Sequence, residues 1–231
     1  MAKILVTGGL GFIGSHTVVE LQNEGFEVVI IDNLSNSSMD ILGRITSITG
    51  ITPQFEKLDL KEKSKVESFF KKYNDIQGVI HFAASKAVGE SVEKPLLYYE
   101  NNINTLVYML QEVQKLESSN FIFSSSCTVY GQADEMPITE NAPVKKAESP
   151  YGNTKQIGEE IIQDVCKINN KLNGIALRYF NPIGAHESAN IGELPIGVPQ
   201  NLVPFITQTA IGLREQLSVF GDDYPTHDGT C

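Results

Sequence analysis

The sequence predicts an α/β fold in which a doubly wound parallel sheet is covered by helices on both faces. Short apolar runs rich in β-branched and aromatic residues alternate with amphipathic segments of helical length. A glycine-rich turn follows the first run and precedes the first helical segment. The chain has 231 residues, 41% hydrophobic and 20% charged, which fits one sizeable domain with a small appendage.

Six segments have the length and composition of buried parallel strands. They cover residues 3–8, 27–32, 54–59, 78–83, 120–126 and 174–180. Apolar residues recur at helical spacing in residues 62–73, 103–113 and 157–168, and another helix follows the glycine turn. Because strand–helix–strand units cross over with a right-handed connection, this order predicts a parallel sheet.

The character of the sequence changes after Phe180. Residues 181–201 are rich in proline and small residues and predict a long irregular loop, which in a compact domain is usually functional. We expect a short helix from Pro204 to Leu213 and a short strand from Leu217 to Phe220. A first domain is therefore predicted over residues 1–180 and a second region over residues 181–231.

Charge and cysteine content exclude several classes of function. The net charge of -10 is opposite to that of a nucleic-acid-binding protein, and anionic membranes would repel the chain. No apolar run reaches the roughly 18 residues of a membrane span. Three cysteines and four histidines show no metal-site spacing, so we expect no metal, no disulfide framework and a reducing compartment, the cytoplasm. These residues are Cys127, Cys166, Cys231, His16, His81, His186 and His227.

Gly8, Gly11 and Gly14 form a GxxGxxG pattern after the first strand. Such glycines permit a tight turn, close approach of a pyrophosphate to the backbone, and close packing of the following helix, whose N-terminus favours phosphate. Asp32 ends the second strand, where an acidic residue binds a ribose 2′-hydroxyl in dinucleotide-binding proteins, although a turn aspartate is the alternative interpretation. No Lys or Arg occurs in residues 33–40, which favours NAD over NADP.

The segment SPYGNTK, residues 149–155, predicts the start of a helix, with Ser149 as N-cap and Pro150 in the first turn. Tyr151 and Lys155 then lie one turn apart on the same face. The lysine and the helix dipole would lower the tyrosine pKa from its usual value of about 10, so that Tyr151 could accept a proton. Taken alone, such a pair is more typical of a solvated helix.

A serine run ends the fifth predicted strand, at the sheet edge where parallel α/β folds bind ligands. A hydroxyl of Ser126 at this edge could orient a substrate hydroxyl toward Tyr151. Ser124 and Ser125 are interpreted as solvated residues at a strand end. Ser126 and the predicted NAD site favour a catalytic role for Tyr151 and Lys155.

Five segments together resemble the extended short-chain dehydrogenase/reductase family, and within it the nucleotide-sugar 4-epimerases: TGGLGFIG, HFAASKAVGES, FSSSCTVYG, SPYGNTK and RYFNPIGAHES. The resemblance extends from Lys3 to Thr230. It implies a Rossmann-type sheet, tightly bound NAD and a UDP-hexose substrate. The implied reaction interconverts UDP-glucose and UDP-galactose by oxidation and re-reduction at sugar carbon 4.

The resemblance also implies site residues. Tyr151 is the implied acid/base, Lys155 holds the nicotinamide ribose and lowers the tyrosine pKa, and Ser126 bonds the reacting sugar hydroxyl. The implied cofactor contacts are Gly8, Gly11, Phe12, Ile13, Gly14, Asp32, Asn33, Asp59, Leu60, Phe82, Ala83, Ala84, Lys86, Asn101, Tyr151, Lys155 and Phe180. The implied substrate contacts are Ser126, Asn181, Asn201, Leu202, Ser218, Val219 and Phe220.

Two other functions are compatible with this fold. A nucleotide-sugar 4,6-dehydratase of this family carries an Asp–Glu pair directly after the strand-5 serine or threonine. Residues 126–130 read SCTVY and offer no carboxylate, and Cys127 is interpreted as a small buried filler. A non-catalytic NAD-binding relative would typically lack the tyrosine or the lysine, and both are present here.

The resemblance finally implies partners and extent. Residues 1–180 would bind NAD, and residues 181–231 would form part of a nucleotide-sugar-binding region. The family is commonly homodimeric, with helices around 91–117 and 150–170 at the interface. It continues beyond the DGT segment at 228–230 with an arginine-bearing segment, so we expect an incomplete member with an exposed apolar face.

Overall fold

A computed structural model describes residues 1–117, 119–219 and 221–230, so Phe220 and Cys231 lie outside the described residues. The described part contains one six-stranded, all-parallel sheet of order β3–β2–β1–β4–β5–β6. Its strands are β1 Lys3–Thr7, β2 Glu27–Asp32, β3 Gln54–Lys57, β4 Ile76–His81, β5 Ser119–Ser124 and β6 Leu172–Leu177. The chain reverses its direction of winding between β1 and β4, which is where such sheets bind nucleotides.

Helices connect the strands. They are α1 Phe12–Asn23, α2 Asp40–Thr49, α3 Lys63–Lys72, α4 Val88–Glu93, α5 Pro95–Val113, α6 Pro150–Ile168 and α7 Leu202–Ala210, with a short 3-10 helix over Cys127–Tyr130. Successive strand residues point to opposite faces, so Leu5 packs with one buried cluster and Val6 with the other. The first cluster includes residues of α3, α5 and α6, and the second includes residues of α1 and α2. The predicted doubly wound sheet is confirmed.

Helix α6 begins as the sequence predicts. Ser149 Oγ accepts a hydrogen bond of 3.1 Å from the backbone N–H of Gly152, and Pro150 occupies the first turn. The predicted helical region 91–117 is divided, because α4 ends at Glu93 and α5 begins at Pro95. A proline cannot donate the backbone hydrogen bond that would continue α4.

The region after β6 is mostly irregular, as predicted for residues 181–201. An isolated bridge joins Ala185 and Gly192. The predicted strand from Leu217 is wrong over its described residues, because residues 217–219 have no strand structure. A lone extended segment has no neighbour to satisfy its backbone groups, and the described residues of this region contain no second strand with which it could pair.

The chain divides into two compact units, Met1–Gly192 and Glu193–Cys231. The first holds the sheet and α1–α6. The second holds α7, where the Arg214 guanidinium lies 4.8 Å from the centroid of the Phe205 ring. The sequence instead predicts a division after residue 180, between an expected NAD-binding part and an expected substrate-binding part. That functional division stays a prediction. Among the described residues, none of the helices is long and apolar enough to cross a membrane.

Candidate active site

The glycine turn lies between β1 and α1 at the carboxyl edge of the sheet. Gly8 adopts φ +67°, which an L side chain rarely tolerates, and its N–H donates to the Ile31 carbonyl at 2.7 Å. Gly11 caps α1 with extended backbone, and no side chain caps the first turn. The backbone at this turn is therefore open to an anion at the helix N-terminus, as pyrophosphate binding requires.

Close packing explains the other glycines of the turn. A Cβ on Gly14 would lie 2.2 Å from the Gly8 carbonyl oxygen and 2.8 Å from Gly9 Cα. Gly9 was not assigned a role from the sequence, yet its own Cβ would lie 2.8 Å from Ile30 Cγ2. Side chains here would collide with the turn itself or with the core. The tight glycine turn and the uncapped helix N-terminus together form a cradle that fits a dinucleotide pyrophosphate.

Asp32 links this turn to the segment after β2. Its Oδ2 accepts from the Leu10 N–H at 3.1 Å, and its Oδ1 accepts from the Leu34 N–H at 2.9 Å and from Ser37 Oγ at 2.8 Å. The carboxylate is buried. It holds the glycine turn in place and keeps further lone pairs for hydroxyl donors, so the turn-residue and ribose-binding interpretations are compatible.

The ends of β2 and β3 bring together the residues implied at the adenosine. Asn33 Nδ2 donates to Asp59 Oδ2 at 3.4 Å, and Asp59 Oδ1 accepts from the Lys61 N–H at 3.0 Å. Leu60, next to Asp59, is buried. This set can offer carboxylate and amide oxygens to a ribose and an apolar side to a base.

The segment after β4 is fixed by a residue that sequence reasoning missed, Asn102. Its amide accepts from the Ser85 N–H at 2.8 Å and from Asn101 Nδ2 at 3.2 Å, and donates to the Ser85 carbonyl at 3.0 Å and to Thr154 Oγ1 at 3.1 Å. The buried amide thereby joins this segment to α5 and to α6 beside Lys155. Asn102 lies just before the apolar pattern of residues 103–113, and nothing in the local sequence distinguishes it, so no local signal could have found it.

The implied cofactor residues of this segment lie around the same network. The backbone N–H of Phe82 donates to the Thr7 carbonyl at 3.1 Å, and that of Ala83 donates to Thr7 Oγ1 at 3.3 Å. Ala84 is half-buried and Lys86 is exposed. Thr7 Oγ1 also shares a hydrogen bond of 2.8 Å with His81 Nδ1, which agrees with the interpretation of His81 as a satisfied core residue.

Lys155 is buried beneath Tyr151. Its Nζ donates to the Ser124 carbonyl at 2.7 Å and lies 5.6 Å from the centroid of the Tyr151 ring. Burial lowers the pKa of Lys155 to about 8, which still leaves most of it protonated at neutral pH. Burial, together with the charge of Lys155, also lowers the pKa of His81 to about 3, so that imidazole is neutral.

The predicted pKa of Tyr151 is wrong in direction for the residues of this chain. Burial raises the pKa of the Tyr151 phenol, hydrogen bonding with Ser126 opposes the rise, and the nearby Tyr179 and Cys127 add to it. Removal from water therefore outweighs any help from the helix start and the lysine, whose ammonium is directed at a carbonyl. The structure does bring Ser126, Tyr151 and Lys155 together.

The interpretation of Ser124 and Ser125 as solvated strand-end residues is wrong. Both are buried. The Ser124 hydroxyl is hydrogen-bonded to the Tyr179 hydroxyl, and the Ser125 hydroxyl donates to Glu159. The partners lie 55 and 34 residues away along the chain, so local sequence could not reveal them.

Ser126 ends the same serine run. It caps the 3-10 helix, because its Oγ accepts from the Thr128 N–H at 3.2 Å. Cys127 is half-buried, and burial raises the pKa of its thiol, which disfavours a thiolate. Residues 126–130 thus present hydroxyl groups and no carboxylate to the site, as the sequence indicates.

The remaining implied residues lie at or beyond the exposed end of β6. Phe180 and Asn181 are exposed residues of the first unit. In the second unit, Asn201 precedes α7 and its Nδ2 donates to Glu193 Oε1. Leu202, Ser218 and Val219 are exposed. Phe220 lies outside the described residues. A substrate role for these residues stays a prediction.

The histidines and acidic residues do not assemble into a metal centre within the described part of the chain. His16 Nδ1 is hydrogen-bonded to the Phe12 carbonyl at 2.8 Å, and His186 Nδ1 to Ser188 Oγ at 2.8 Å. His227 is exposed in the second unit. The carboxyl edge offers hydroxyl, amide and ammonium groups together with the carboxylates of Asp32 and Asp59, which suits a nucleotide.

A family model described as the NAD dependent epimerase/dehydratase family matches residues 4–227. The chain belongs to this family. It is 53% identical over 227 residues to a UDP-glucose 4-epimerase of Haemophilus influenzae, covering 98% of the chain and 67% of the relative. It is therefore about two thirds as long as that relative.

Solved structures give the same result. A UDP-glucose 4-epimerase from Bifidobacterium longum in complex with NAD+ and UDP is 45% identical, with a TM-score of 0.95, covering 99% of this chain and 68% of that chain. The UDP-glucose-4-epimerase of Stenotrophomonas maltophila, with bound NAD and formylated UDP-arabinopyranose, is 46% identical with a TM-score of 0.93. The match covers 100% of this chain and 68% of that chain. The Rossmann-type fold is confirmed by these neighbours.

Proposed function

We propose that the protein interconverts UDP-glucose and UDP-galactose by NAD-dependent oxidation and re-reduction at sugar carbon 4. The observation that carries the proposal is the convergence of Ser126, Tyr151 and Lys155 at the carboxyl edge of the sheet. This cluster lies beside β5, on the other side of the β1–β4 switch point from β2 and Asp32. A proton-transfer group beside a dinucleotide cradle is what alcohol oxidation requires. The UDP-hexose specificity is supported by the relatives.

The chain would hold the cofactor with the residues of the cradle and its neighbours. Gly8, Gly11 and Gly14, with the backbone of Phe12 and Ile13, would bind the pyrophosphate; Asp32 and Asn33 the adenosine ribose; Asp59 and Leu60 the adenine. Phe82, Ala83, Ala84, Lys86, Asn101 and Phe180 would complete the site. When bound, NAD would supply the hydride acceptor for the oxidation at carbon 4 and, in its reduced form, the hydride donor for the reduction.

Tyr151 would exchange the proton. In its deprotonated form, the phenolate oxygen would accept the proton of the carbon-4 hydroxyl as hydride leaves, and the resulting phenol would give it back when hydride returns. Because burial raises the pKa of the phenol, Tyr151 needs the positive charges and hydrogen bonds of the loaded site to act near neutral pH. Ser126 supplies one such bond, and Lys155, held by the Ser124 carbonyl, would bond the nicotinamide ribose.

The nucleotide-sugar contacts are proposed for residues 181–231, with residues 1–180 as the NAD-binding domain. Asn181, Asn201, Leu202, Ser218, Val219 and Phe220 would meet the UDP-hexose. A nucleotide anchored through its diphosphate would let the oxidised hexose turn within the site while the rest of the molecule stays bound. We further propose a homodimer and a cytoplasmic location.

The test is the conversion of UDP-galactose by the purified protein, with the sugar nucleotides quantified by proton NMR. The Tyr151→Phe variant should lose roughly 10³-fold in kcat, the typical contribution of a general acid–base group. Tyr108→Phe removes a phenol of α5 outside the cluster and should keep activity. Equal activity of Tyr151→Phe and the unsubstituted protein would contradict the assigned role.

The same assay separates the alternatives. A dehydratase would release a 4-keto-6-deoxy sugar, which NMR distinguishes from UDP-glucose. A non-catalytic NAD-binding protein would leave bound NAD oxidised when UDP-galactose is added, whereas a small absorbance of reduced NAD is expected for an epimerase.

A further inference from the structure

We propose that Glu159 is a positioning residue that, paired with Arg178, holds Ser126 against Tyr151. The catalytic consequence rests on the proposed function, but the geometric claim does not. Glu159 lies on α6, one turn beyond Lys155 and two turns beyond Tyr151. It thus lies on the same face of α6 as Tyr151 and Lys155 and contacts the end of β5 through Ser125.

The Glu159–Arg178 pair is bidentate. Arg178 Nε donates to Glu159 Oε1 at 2.9 Å and to Oε2 at 3.2 Å, and Arg178 Nη2 donates to Oε2 at 2.6 Å. The Arg178 side chain is 23% exposed and the Glu159 side chain is 16% exposed, so water screens the pair only weakly. Planar bidentate pairs of this kind fix the relative orientation of their two backbones. Helix α6 is thereby tied to the segment that follows β6.

Each neighbour of Ser126 is connected to this pair. On one side, the Ser125 hydroxyl donates directly to Glu159 Oε1. On the other side, the Cys127 N–H donates to the carbonyl of Tyr179 at 3.1 Å, and Tyr179 directly follows Arg178. Ser126 therefore lies between two anchored residues. The Ser125 side chain is bonded to the Glu159 carboxylate, and the Cys127 backbone is bonded to Tyr179, the residue after Arg178.

The end of the 3-10 helix is anchored in the same way. The Arg178 guanidinium lies 5.0 Å from the centroid of the Tyr130 ring, a cation–π distance. Lys155 contributes a separate bond, from its Nζ to the Ser124 carbonyl. Residues 124–130 are thus held from α6 at Ser124 and Ser125 and from the β6 side at Cys127 and Tyr130.

The position of the Ser126 hydroxyl matters because it opposes the effect of burial on Tyr151. Hydrogen bonding with Ser126 lowers the Tyr151 pKa, so a displaced Ser126 leaves the phenol less acidic. The other titratable groups that affect or face Tyr151 are Cys127, Tyr179, Tyr98 and Lys155. None of them is replaced by the substitutions below. Glu159→Gln leaves the Arg178 cation without its carboxylate, which by itself would favour the phenolate, so a rise in the Tyr151 pKa reports on Ser126.

Three variants separate positioning from folding. Ser125→Ala deletes the hydroxyl that donates to Glu159 but keeps the ion pair. Glu159→Gln keeps an acceptor for Ser125 but removes the charge. Glu160→Gln makes the same chemical change at the next, exposed position of α6 and is the matched control. Thermal unfolding identifies any variant that fails to fold, and Ser125→Ala then still tests the link.

The first readout does not need activity. The protein is labelled with 3,5-difluorotyrosine, whose phenol is more acidic than that of tyrosine and titrates in a pH range in which the protein stays folded. The fluorine signal of Tyr151 is assigned by its loss in the Tyr151→Phe variant. We expect the midpoint of this titration to move to higher pH in Ser125→Ala and in Glu159→Gln. It should be unchanged in Glu160→Gln. A midpoint that stays constant in a folded Ser125→Ala variant would overturn the inference.

The second readout is the split between kcat and KM for UDP-galactose. Misplacement of a catalytic group by about 1 Å costs up to ~100-fold, so we expect a 10–100-fold fall in kcat with KM changed less than about 2-fold. Unchanged kcat in both variants would also overturn the positioning role. If the unsubstituted protein shows no epimerisation while the titration still moves, the proposed function fails and the positioning of Ser126 stands.

Discussion

The two halves of the candidate site are built by opposite means. At the β1–α1 turn, Gly8, Gly11 and Gly14 make room by having no side chain, and backbone groups face the ligand position. At the β5–α6 edge, buried side chains such as Lys155 and Glu159 hold one another through bonds between distant segments. The first half depends on excluded volume, and the second depends on satisfied polar groups.

This difference determines how each half responds to substitution. In the glycine turn a single added carbon collides with backbone atoms that cannot move independently, so the effect is steric and large. In the polar cluster, removing one partner leaves another polar group buried without a bond, at a cost of about 1–3 kcal/mol. Removal of a buried charge has the opposite sign, because it can make the fold more stable while it abolishes activity.

The largest effect is expected for Gly14→Ala. Its Cβ would lie 2.2 Å from the Gly8 carbonyl oxygen, so the turn must shift. Overpacking of this kind costs up to about 3 kcal/mol, and if that appears in cofactor binding the affinity for NAD falls ~100-fold. Titration of the protein with NAD by calorimetry measures this loss.

Gly43→Ala is the matched control. Gly43 lies within α2, and a Cβ there would meet nothing within 4 Å. The substitution should leave NAD affinity unchanged and should raise the free energy of unfolding by about 0.5–1 kcal/mol, because alanine is the better helix former. Similar losses of NAD affinity in both variants would refute the steric explanation.

A smaller effect of opposite sign is expected for Lys155→Met in NAD-free protein. Burial lowers the Lys155 pKa from 10.5 to about 8, which corresponds to about 3 kcal/mol at pH 7 at roughly 1.4 kcal/mol per pH unit. Loss of the bond to the Ser124 carbonyl offsets about 1–3 kcal/mol of this. The variant should therefore be up to about 2 kcal/mol more stable at pH 7 in urea unfolding, and inactive.

The pH dependence of this difference follows from the sign of the shift. Between about pH 8 and pH 10.5 the unfolded chain retains a proton at Lys155 that the folded protein has lost. The contribution of Lys155 to the free energy of unfolding of the unsubstituted protein then rises with pH. The advantage of Lys155→Met should shrink over that interval; a constant difference would show that burial of the charge is not its cause.

The smallest effect is expected for Asp32→Asn. The buried carboxylate accepts from the N–H groups of Leu10 and Leu34, and an amide NH₂ would face one of these donors. NAD affinity should fall about 10-fold, or 1.4 kcal/mol. NADP should bind the unsubstituted protein more weakly than NAD does. In the variant, the affinity for NADP should rise relative to the affinity for NAD. Asp40→Asn, at the start of α2, is the charge-matched control.

The same contrast explains how much the sequence could predict. Apolar periodicity and the spacing of Gly8, Gly11 and Gly14 are local, and they predicted the sheet, most of the helices and the dinucleotide turn. The spacing of Tyr151 and Lys155 is also local, but their catalytic role is predicted only together with Ser126 and the NAD site, and it stays a prediction. The strand expected at Leu217 was wrong over its described residues, because apolar composition does not provide a pairing partner.

The supporting network could not be predicted, because its bonds join residues that are distant in sequence. Asn102 meets Thr154 and Ser125 meets Glu159 only once α5, α6 and the sheet have packed. The direction of the Tyr151 pKa was wrong for the same reason. Spacing shows that Lys155 is near, but only the packed structure shows that burial dominates and that the ammonium points at Ser124.

The central claim is that carbon 4 of the sugar gives up a hydride and takes the same hydride back. UDP-galactose carrying deuterium at carbon 4 is incubated with the protein in ordinary water, and the UDP-glucose formed is examined by NMR. We predict that the deuterium remains at carbon 4 of the product. Replacement of the deuterium by solvent hydrogen would contradict the hydride route and the role assigned to Tyr151.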